Sequence, residues 1–384
     1  MSDIAEHAST VQPILTATAG LGGGDTAEKH AIFAEQERPK RHAMSSTWPT
    51  KAGHEWAIPE RLLALMGVAS FSSLKTHAPS AAIPVYPKDA PVPVFPLWKM
   101  HLVVAPKAAA PLIAHAAFEY LTGITVSRGA AMTLYMVSFV LIGISFVSWC
   151  NRTALRFGTF DAQAGRDGVP DVETWNVIRE LLFVALSRSL VGVYFLYRPG
   201  EPLLTLRSVV MFPLNMFIYA VVLDFYFYWY HRSMHEVGFL WRFHRKHHTT
   251  KHPNAALSAF ADHEQELFDT LVIPALTWFT WRIDFATWFG STVYILYVEV
   301  FGHSGIRAYF QIPTTWPLRY LGCELCIEDH DLHHRYGWKK SGNYGKQTRL
   351  WDAVFRTCKP RIESTEQNID WGLSTPPPLP THST

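Results

Sequence analysis

Long apolar segments constrain the fold of this chain most strongly. Residues 131–149 form a run of 19 residues without a charged side chain, close to the roughly 20 that an α-helix needs to cross the hydrocarbon core of a bilayer. Residues 209–230 form a second run that contains one charge, Asp224, and ends in an aromatic cluster. Such clusters are typical of the membrane–water boundary. The sequence therefore predicts a multi-pass integral membrane protein.

Further apolar segments extend this prediction. Residues 267–281 and 285–301 are separated by a short polar turn, and we interpret them as a helical hairpin that dips into the bilayer. Residues 175–197 carry Arg179, Glu180 and Arg188, which favours an interfacial amphipathic helix or a poor span. Arginines and lysines in the polar loops place those loops in the cytosol. The predicted fold is all-α, with about four spanning or hairpin helices capped by a cytosolic, histidine-rich helical metal domain.

Composition supports this division of the chain. Only 17% of the residues are charged, against about 25% in soluble domains. Lys+Arg (34) nearly balance Asp+Glu (32), which argues against a nucleic-acid-binding protein. We predict a disordered N-terminal region at 1–80, a proline-rich connection and interfacial segment at 81–130, and a membrane span with an amphipathic helix at 131–207. A catalytic domain at 208–358 and a disordered tail at 359–384 complete the predicted organisation.

Histidine is concentrated in one window of the chain. Of 19 histidines, 11 lie between His231 and His334, where an even distribution would place about five. They include HxxxH at 231–235, HxxHH at 244–248 and HxxHH at 330–334. Histidines three or four positions apart share a helix face, so each motif would present several imidazoles in one direction. A single motif would more simply be a set of surface histidines, whereas three in one window favour metal binding.

The number of imidazoles bears on the number of metal ions. A mononuclear site takes three or four protein ligands, and the three motifs supply eight histidines. The count therefore favours two metal ions, or one with redundant ligands. Imidazole suits iron, zinc, copper and nickel, so ligand type alone leaves the metal open.

Several short sequence segments around these motifs resemble segments found in one protein family. YHR at 230–232, LWRFH at 240–244, NYG at 343–345 and WD at 351–352, with the order of the histidine motifs, are similar to the fatty acid hydroxylase/sterol desaturase superfamily. The similarity covers roughly residues 208–357. Two further phrases, at 248–254 and 337–345, are similar to fungal members.

The resemblance implies a multi-pass endoplasmic-reticulum membrane enzyme whose active site faces the cytosol. A histidine-bound, non-haem di-iron centre would use O2 to hydroxylate or desaturate a fatty acyl, sterol or related lipid taken from the bilayer. Electrons would come from cytochrome b5 and an NAD(P)H reductase. Zinc is the alternative metal, and a zinc-dependent membrane hydrolase is the rival enzyme. A metal transporter or sensor is the non-enzymatic rival, although a transporter would hold its ligands near the bilayer midplane.

The resemblance also assigns residues. The metal ligands would be His231, His235, His244, His247, His248, His303, His330, His333 and His334, with no further catalytic residue. His263 and Glu266 fit a family HPxE pattern in which Glu264 replaces the proline, so His263 is either a ligand or a residue beside one. His252 precedes a proline, and we interpret it as structural.

Two acids inside apolar segments extend this prediction. Asp224 lies seven residues before His231, and Glu299 lies four before His303. Ionisable residues in spans usually face the protein interior, so both acids are predicted to accept hydrogen bonds from imidazole N–H groups and orient the ligands. The alternative for Asp224 is an ion pair with an arginine such as Arg188.

Overall fold

The computed structural model describes residues 44–71 and 83–377. Residues 1–43, 72–82 and 378–384 lie outside the described residues, and they include much of the predicted disordered N-terminal region and the end of the predicted tail. The described chain is mostly helical, as predicted.

Eleven α-helices make up most of the described residues. They are α1 (Ile58–Leu65), α2 (Leu97–Thr122), α3 (Arg128–Phe157), α4 (Thr174–Leu196), α5 (Leu206–Glu236), α6 (Trp241–His244), α7 (His263–Leu267), α8 (Ile273–Thr280), α9 (Phe285–Gly302), α10 (Ile327–Tyr336) and α11 (Leu350–Val354). A π-helical turn, Phe268–Val272, joins α7 to α8 without a break. Short 3₁₀ turns lie at Trp48–Thr50, Gly53–Glu55, Val68–Ser70, Asp171–Glu173, His247–Thr249, Ala255–Ala259 and Trp316–Leu321.

Three helices of the described chain, α2, α3 and α5, are long and apolar enough to cross a membrane. The prolines of residues 81–96 predict an extended connection, and the described part of that segment, residues 83–96, contains no helix. Helix α2 begins directly after it, in the predicted interfacial segment, and Pro106 and Pro111 lie inside this helix. Prolines are tolerated in membrane helices because neighbouring groups satisfy the freed backbone carbonyls. The total number of spans stays a prediction.

Helix α9 lies at the centre of the helical packing. It contacts α2, α3 and α5, and every residue of α9 except Glu299 is buried. A helix buried on all sides needs apolar residues all round, as this segment has. Gly192 of α4 allows a close approach here, because a Cβ at that position would lie 2.1 Å from the Trp288 ring. This packing places His303, the residue after α9, in the interior.

Three short strands add a small sheet to the predicted all-α fold. Strand β1 (Val92–Phe95) lies between β2 (Tyr309–Phe310) and β3 (Ile369–Asp370), and both pairings are parallel. Because β3 belongs to the predicted disordered tail, residues 359–377 correct that prediction. Glu328 also holds this segment in place, because its carboxylate accepts hydrogen bonds from the backbone N–H groups of residues 362–364.

Residues 44–71 likewise differ from the predicted disorder of 1–80. Trp48 is fully buried, and its indole N–H donates to the carbonyl of Val169 at 3.0 Å. Asn151 of α3 donates to the carbonyl of Met66 at 2.9 Å. The polar, alanine-rich composition of the N-terminal region predicts disorder, because only a few of its residues make these stabilising contacts.

Candidate metal centre

The structure brings all nine predicted histidine ligands into two adjacent buried groups. The first histidine group comprises His231, His235, His244, His248 and His333, and the second comprises His247, His303, His330 and His334. Within each group the candidate ligand nitrogens lie within 4.8 Å of one another. The groups adjoin, since the ring centroids of His248 and His334 are 4.8 Å apart. The two groups could therefore hold two neighbouring metal ions.

The two HxxHH motifs divide their histidines between these groups. In the motif at 244–248, the outer pair His244 and His248 enters the first group and His247 enters the second. In the motif at 330–334 the division is reversed: the outer pair lies in the second group and His333 in the first. Successive side chains along a helix point in different directions, so adjacent histidines reach different groups. The prediction that each motif presents two or three imidazoles in one direction is confirmed for two in each motif: His231 with His235, His244 with His248, and His330 with His334. The middle histidine of each HxxHH motif faces the other group.

Hydrogen bonds on the outer ring nitrogens aim the imidazoles inward. For seven of the nine histidines, Nδ1 lies 2.8–3.3 Å from an oxygen acceptor. In the first group, His231 faces the Tyr344 carbonyl, His235 the Trp338 carbonyl, His333 the Gly342 carbonyl and His244 the side-chain oxygen of Gln265. In the second group, His247 faces the Phe260 carbonyl, His303 the Glu299 carbonyl and His334 the Thr250 carbonyl. Donation from Nδ1 to these oxygens places the hydrogen on Nδ1 and leaves the Nε2 lone pair free to bind a metal.

Several inward nitrogens of each group lie within hydrogen-bond distance of one another. His231 Nε2 is 3.0 Å from His244 Nε2 in the first group, and His247 Nε2 is 3.3 Å from His303 Nε2 in the second. All four Nδ1 atoms face acceptors, so in each pair two lone pairs point at each other without a hydrogen between them. A cation between the nitrogens would convert this repulsion into attraction. The donor set of each group therefore fits a metal ion with nitrogen ligands.

The histidines are also in the protonation state that metals require. Burial and, after it, neighbouring imidazoles lower the pKa of His248, His330 and His334 well below the usual value. Burial lowers the pKa of His333 to about 3 and that of His303 to about 4. These imidazoles are therefore neutral at pH 7, and metal binding requires no proton release from them.

A tight loop at residues 341–348 holds two of these acceptors. It carries the Gly342 and Tyr344 carbonyls, and a Cβ at Gly345 would lie 2.3 Å from the Thr348 carbonyl oxygen. Asp352 accepts hydrogen bonds from the backbone N–H groups of Tyr344 and Gly345, both at 2.8 Å. The loop thus links the NYG and WD phrases of the sequence to the first histidine group.

Asp224 anchors the same loop, which corrects both predictions for it. Its carboxylate accepts from the backbone N–H groups of Lys346 and Gln347 at 2.7 and 2.8 Å, and from the N–H and hydroxyl of Thr348 at 3.2 and 2.8 Å. It bonds neither a histidine nor Arg188 among the described residues. Asp224 therefore acts on His231 only indirectly, by positioning the loop whose Tyr344 carbonyl accepts from that imidazole.

Glu299 also departs from its predicted role. Its backbone carbonyl accepts from His303 Nδ1 at 2.8 Å, whereas its carboxylate pairs with Arg188 at 3.0 Å and Lys346 at 3.4 Å. Backbone geometry explains the difference, because the carbonyl of residue i faces residue i+4 on a helix. The arginine considered as a partner for Asp224 is thus the partner of Glu299.

His263 lies outside both histidine groups, so the prediction that it is a ligand or lies beside one was wrong. More than half of its side chain is exposed, and its Nδ1 lies 3.1 Å from the carboxylate of Glu180. The residue that sequence analysis missed is Gln265, which is buried and accepts from His244 at 2.8 Å. An amide gives no metal-binding signal in a sequence. His252 also lies outside both groups, 3.5 Å from Asp331.

A cavity of about 300 Å³ opens onto both groups. Imidazoles form part of its wall, including His231 and His244 from the first group and His303 and His330 from the second. Apolar side chains from α1, α3 and α4 form much of the rest: Leu62, Phe139, Val140, Ile144, Ile178 and Leu181. A largely apolar cavity that is lined in part by these imidazoles can hold a hydrocarbon chain beside a metal centre.

Replacing Gln265 with leucine is expected to lower metal affinity about 10–100-fold, the usual effect of removing a partner that orients a metal-binding histidine. Leucine fills similar space but leaves His244 Nδ1 without an acceptor. Metal competition with a calibrated chelator would measure the change. Gln265→Glu keeps an acceptor at this position and should retain the metal; equal metal affinity in the leucine variant and wild type would contradict the role.

Comparisons with known proteins agree with this geometry. A family model described as fatty acid hydroxylase matches residues 216–357, which contain both histidine groups. The chain is 37% identical over 318 residues to fatty acid hydroxylase vlmA of Lecanicillium sp., covering 77% of this chain and 86% of that one.

Plant proteins show weaker similarity. A very-long-chain aldehyde decarbonylase, GL1-11 of Oryza sativa subsp. indica, is 30% identical over 53% of this chain and 77% of its own. Methylsterol monooxygenase 2-2 of Arabidopsis thaliana is 31% identical over 41% of this chain and 57% of its own. No solved structure matches the chain. The match with the fungal relative, which extends over most of both chains, shows that this protein belongs to the fatty acid hydroxylase family.

Proposed function

We propose that this protein is a membrane-bound, O2-dependent oxygenase that hydroxylates or desaturates a lipid at a di-iron centre. Membership of a family whose named members include a hydroxylase and a monooxygenase supports oxidative lipid chemistry. The observation that carries the proposal is the pair of histidine groups, each with Nε2 atoms facing one another and Nδ1 atoms facing acceptors, in the wall of an apolar cavity. C–H oxidation is chemistry for a cofactor, which the protein binds and orients.

The residues of the chain would have distinct roles in this reaction. The first histidine group would hold one iron ion and the second would hold the other. Iron bound there would supply the redox chemistry that couples O2 to C–H oxidation. The acceptors on Nδ1 would keep the imidazoles oriented, and apolar side chains of α1, α3 and α4 would hold the lipid and exclude water. Exclusion of water protects a reactive centre from side reactions.

The donor set argues against the rival functions. A zinc hydrolase of the usual kind has three protein ligands and one open position, whereas nine imidazoles in two adjoining groups are more than that chemistry uses. His231 and His235 lie in the last two turns of α5, with the other ligands beyond it in sequence. A transporter would place its ligands near the middle of its spans.

Electron supply and location are parts of the proposal. Cytochrome b5 and an NAD(P)H reductase are the proposed donors, and the endoplasmic reticulum membrane, with the histidine groups on its cytosolic side, is the proposed location. Three helices of the described residues are suited to a membrane, which supports a membrane enzyme.

Metal analysis and lipid profiling together test this function. The purified protein is expected to contain about two iron ions per chain, one for each histidine group. Cells that lack the gene should lose at least one oxidised lipid, and re-expression should restore it. About one zinc ion per chain with an unchanged oxidised-lipid profile would overturn the proposal.

A further inference from the structure

A cluster of ionisable side chains lies in the wall of the same cavity. Arg188, Glu266, Asp269, Glu299 and Lys346 come from α4, α7, the π-helical turn, α9 and the loop at 341–348, and all five line the cavity that reaches the histidines. We call these five residues the polar collar. Its carboxyl and cationic groups are costly to bury unless they are paired or used.

The cations of the polar collar are already neutralised. Arg188 pairs with Glu299 at 3.0 Å, and Lys346 lies between Glu299 at 3.4 Å and Asp269 at 3.6 Å. Three carboxyl groups thus face two cations. A ligand with an ionised carboxylate would bring a fourth carboxyl group to a collar whose two cations are both already paired with carboxylates.

Other polar atoms of the polar collar have no hydrogen-bond partner among the described residues. Glu266 is 95% buried, and its carboxyl group has no hydrogen-bond partner among the described residues. Asp269 Oδ1 and Arg188 Nε are likewise buried without a partner in the described part of the chain. Asp269 reaches the cavity from the π-helical turn, an irregularity often found at functional sites. The collar therefore offers both acceptors and a donor.

Burial of Glu266 supports an uncharged ligand. Burial, and after it the nearby Asp269, raises the pKa of Glu266 to about 8, so this carboxyl group is largely protonated at pH 7. A protonated carboxyl group donates one hydrogen bond and still accepts others. A hydroxyl or amide group of a ligand both donates and accepts, so it could accept the hydrogen bond of this carboxyl group and donate to one acceptor of the collar.

We propose that the polar collar is a binding subsite for an uncharged hydroxyl or amide group of the lipid substrate and disfavours a free carboxylate. The inference rests on the proposed function only in taking the cavity as the lipid site. It narrows the substrate class to lipids that carry such a group near the metal centre, with the hydrocarbon chain along α1, α3 and α4.

Equilibrium binding of two lipids with the same chain tests this subsite. Radiolabelled 1-hexadecanol and palmitate would be titrated into the purified full-length protein in detergent at pH 7.5. We expect hexadecanol to bind at least about tenfold more tightly, because a buried charge without a partner is strongly penalised. Glu266→Leu should lower hexadecanol affinity about tenfold by removing its hydrogen bonds. Glu266→Gln, which keeps size and hydrogen bonding, should stay within about threefold of wild type.

Three results would overturn the subsite. They are equal or tighter binding of palmitate, binding of neither lipid, and unchanged hexadecanol affinity in Glu266→Leu. Neither metal analysis nor oxidised-lipid profiling enters this measurement, so the subsite and the proposed oxygenase function can fail separately.

Discussion

Replacing His333 with alanine is expected to lower lipid oxidation by about 10³-fold or more, since loss of a metal ion removes several kcal/mol of barrier lowering. His333 is fully buried, and its Nε2 lies 3.0 Å from His248 Nε2. Its Nδ1 is held by the Gly342 carbonyl at 2.8 Å. The variant should lose the metal of the first histidine group and keep that of the second. Metal analysis should therefore find about one ion per chain instead of two.

Two further variants make this result specific. His330→Ala should give the complementary loss, from the second histidine group, with the same collapse of activity. His263→Ala is the matched control, because His263 is exposed and lies outside both groups. It should retain both metal ions and activity within about twofold, as expected for an exposed ion pair. Loss of metal in His263→Ala, or full metal content in His333→Ala, would refute this assignment.

Replacing Asp224 with alanine is expected to cost about 3 kcal/mol or more of stability, because several backbone N–H groups would be buried without an acceptor. Asp224 is fully buried and accepts from Lys346, Gln347 and Thr348. Disorder of this loop would displace the Tyr344 and Gly342 carbonyls, which accept from histidines of the first group. Thermal unfolding and metal analysis should show a lower midpoint and selective loss of the first metal ion.

Further substitutions distinguish the hydrogen bonds that Asp224 makes to the loop from the effect of its negative charge. Asp224→Asn keeps one acceptor oxygen but turns an amide NH2 toward backbone donors, so it should be intermediate between wild type and alanine. Thr348→Val removes only the hydroxyl that donates to Asp224 at 2.8 Å, and about 1 kcal/mol should be lost. A stable, fully metallated Asp224→Ala protein would mean that the loop is held by Asp352 alone.

The interior differs most from the sequence predictions where backbone atoms perform a function. Asp224 and Glu299 were predicted to orient imidazoles through their carboxylates. The groups that face the imidazoles are instead mainly carbonyls, including those of Tyr344 and Glu299. Every residue has a carbonyl, so residue type carries no signal for this role.

Some properties of this protein follow from its sequence alone. The apolar segments predict helices suited to a membrane, and histidine spacing with the accompanying phrases identifies the family and the nine candidate ligands. These signals are local: a helix face depends on residues three or four apart, and a span depends on consecutive apolar residues.

Tertiary structure decided what these local patterns leave open. Packing around α9 brings His303 to histidines of distant motifs, and the fold sends neighbouring residues such as His247 and His248 to different groups. It also lines the cavity with Leu62 from a segment predicted to be disordered. These arrangements depend on contacts between residues far apart in the chain, and a short-range pattern cannot specify which of them form.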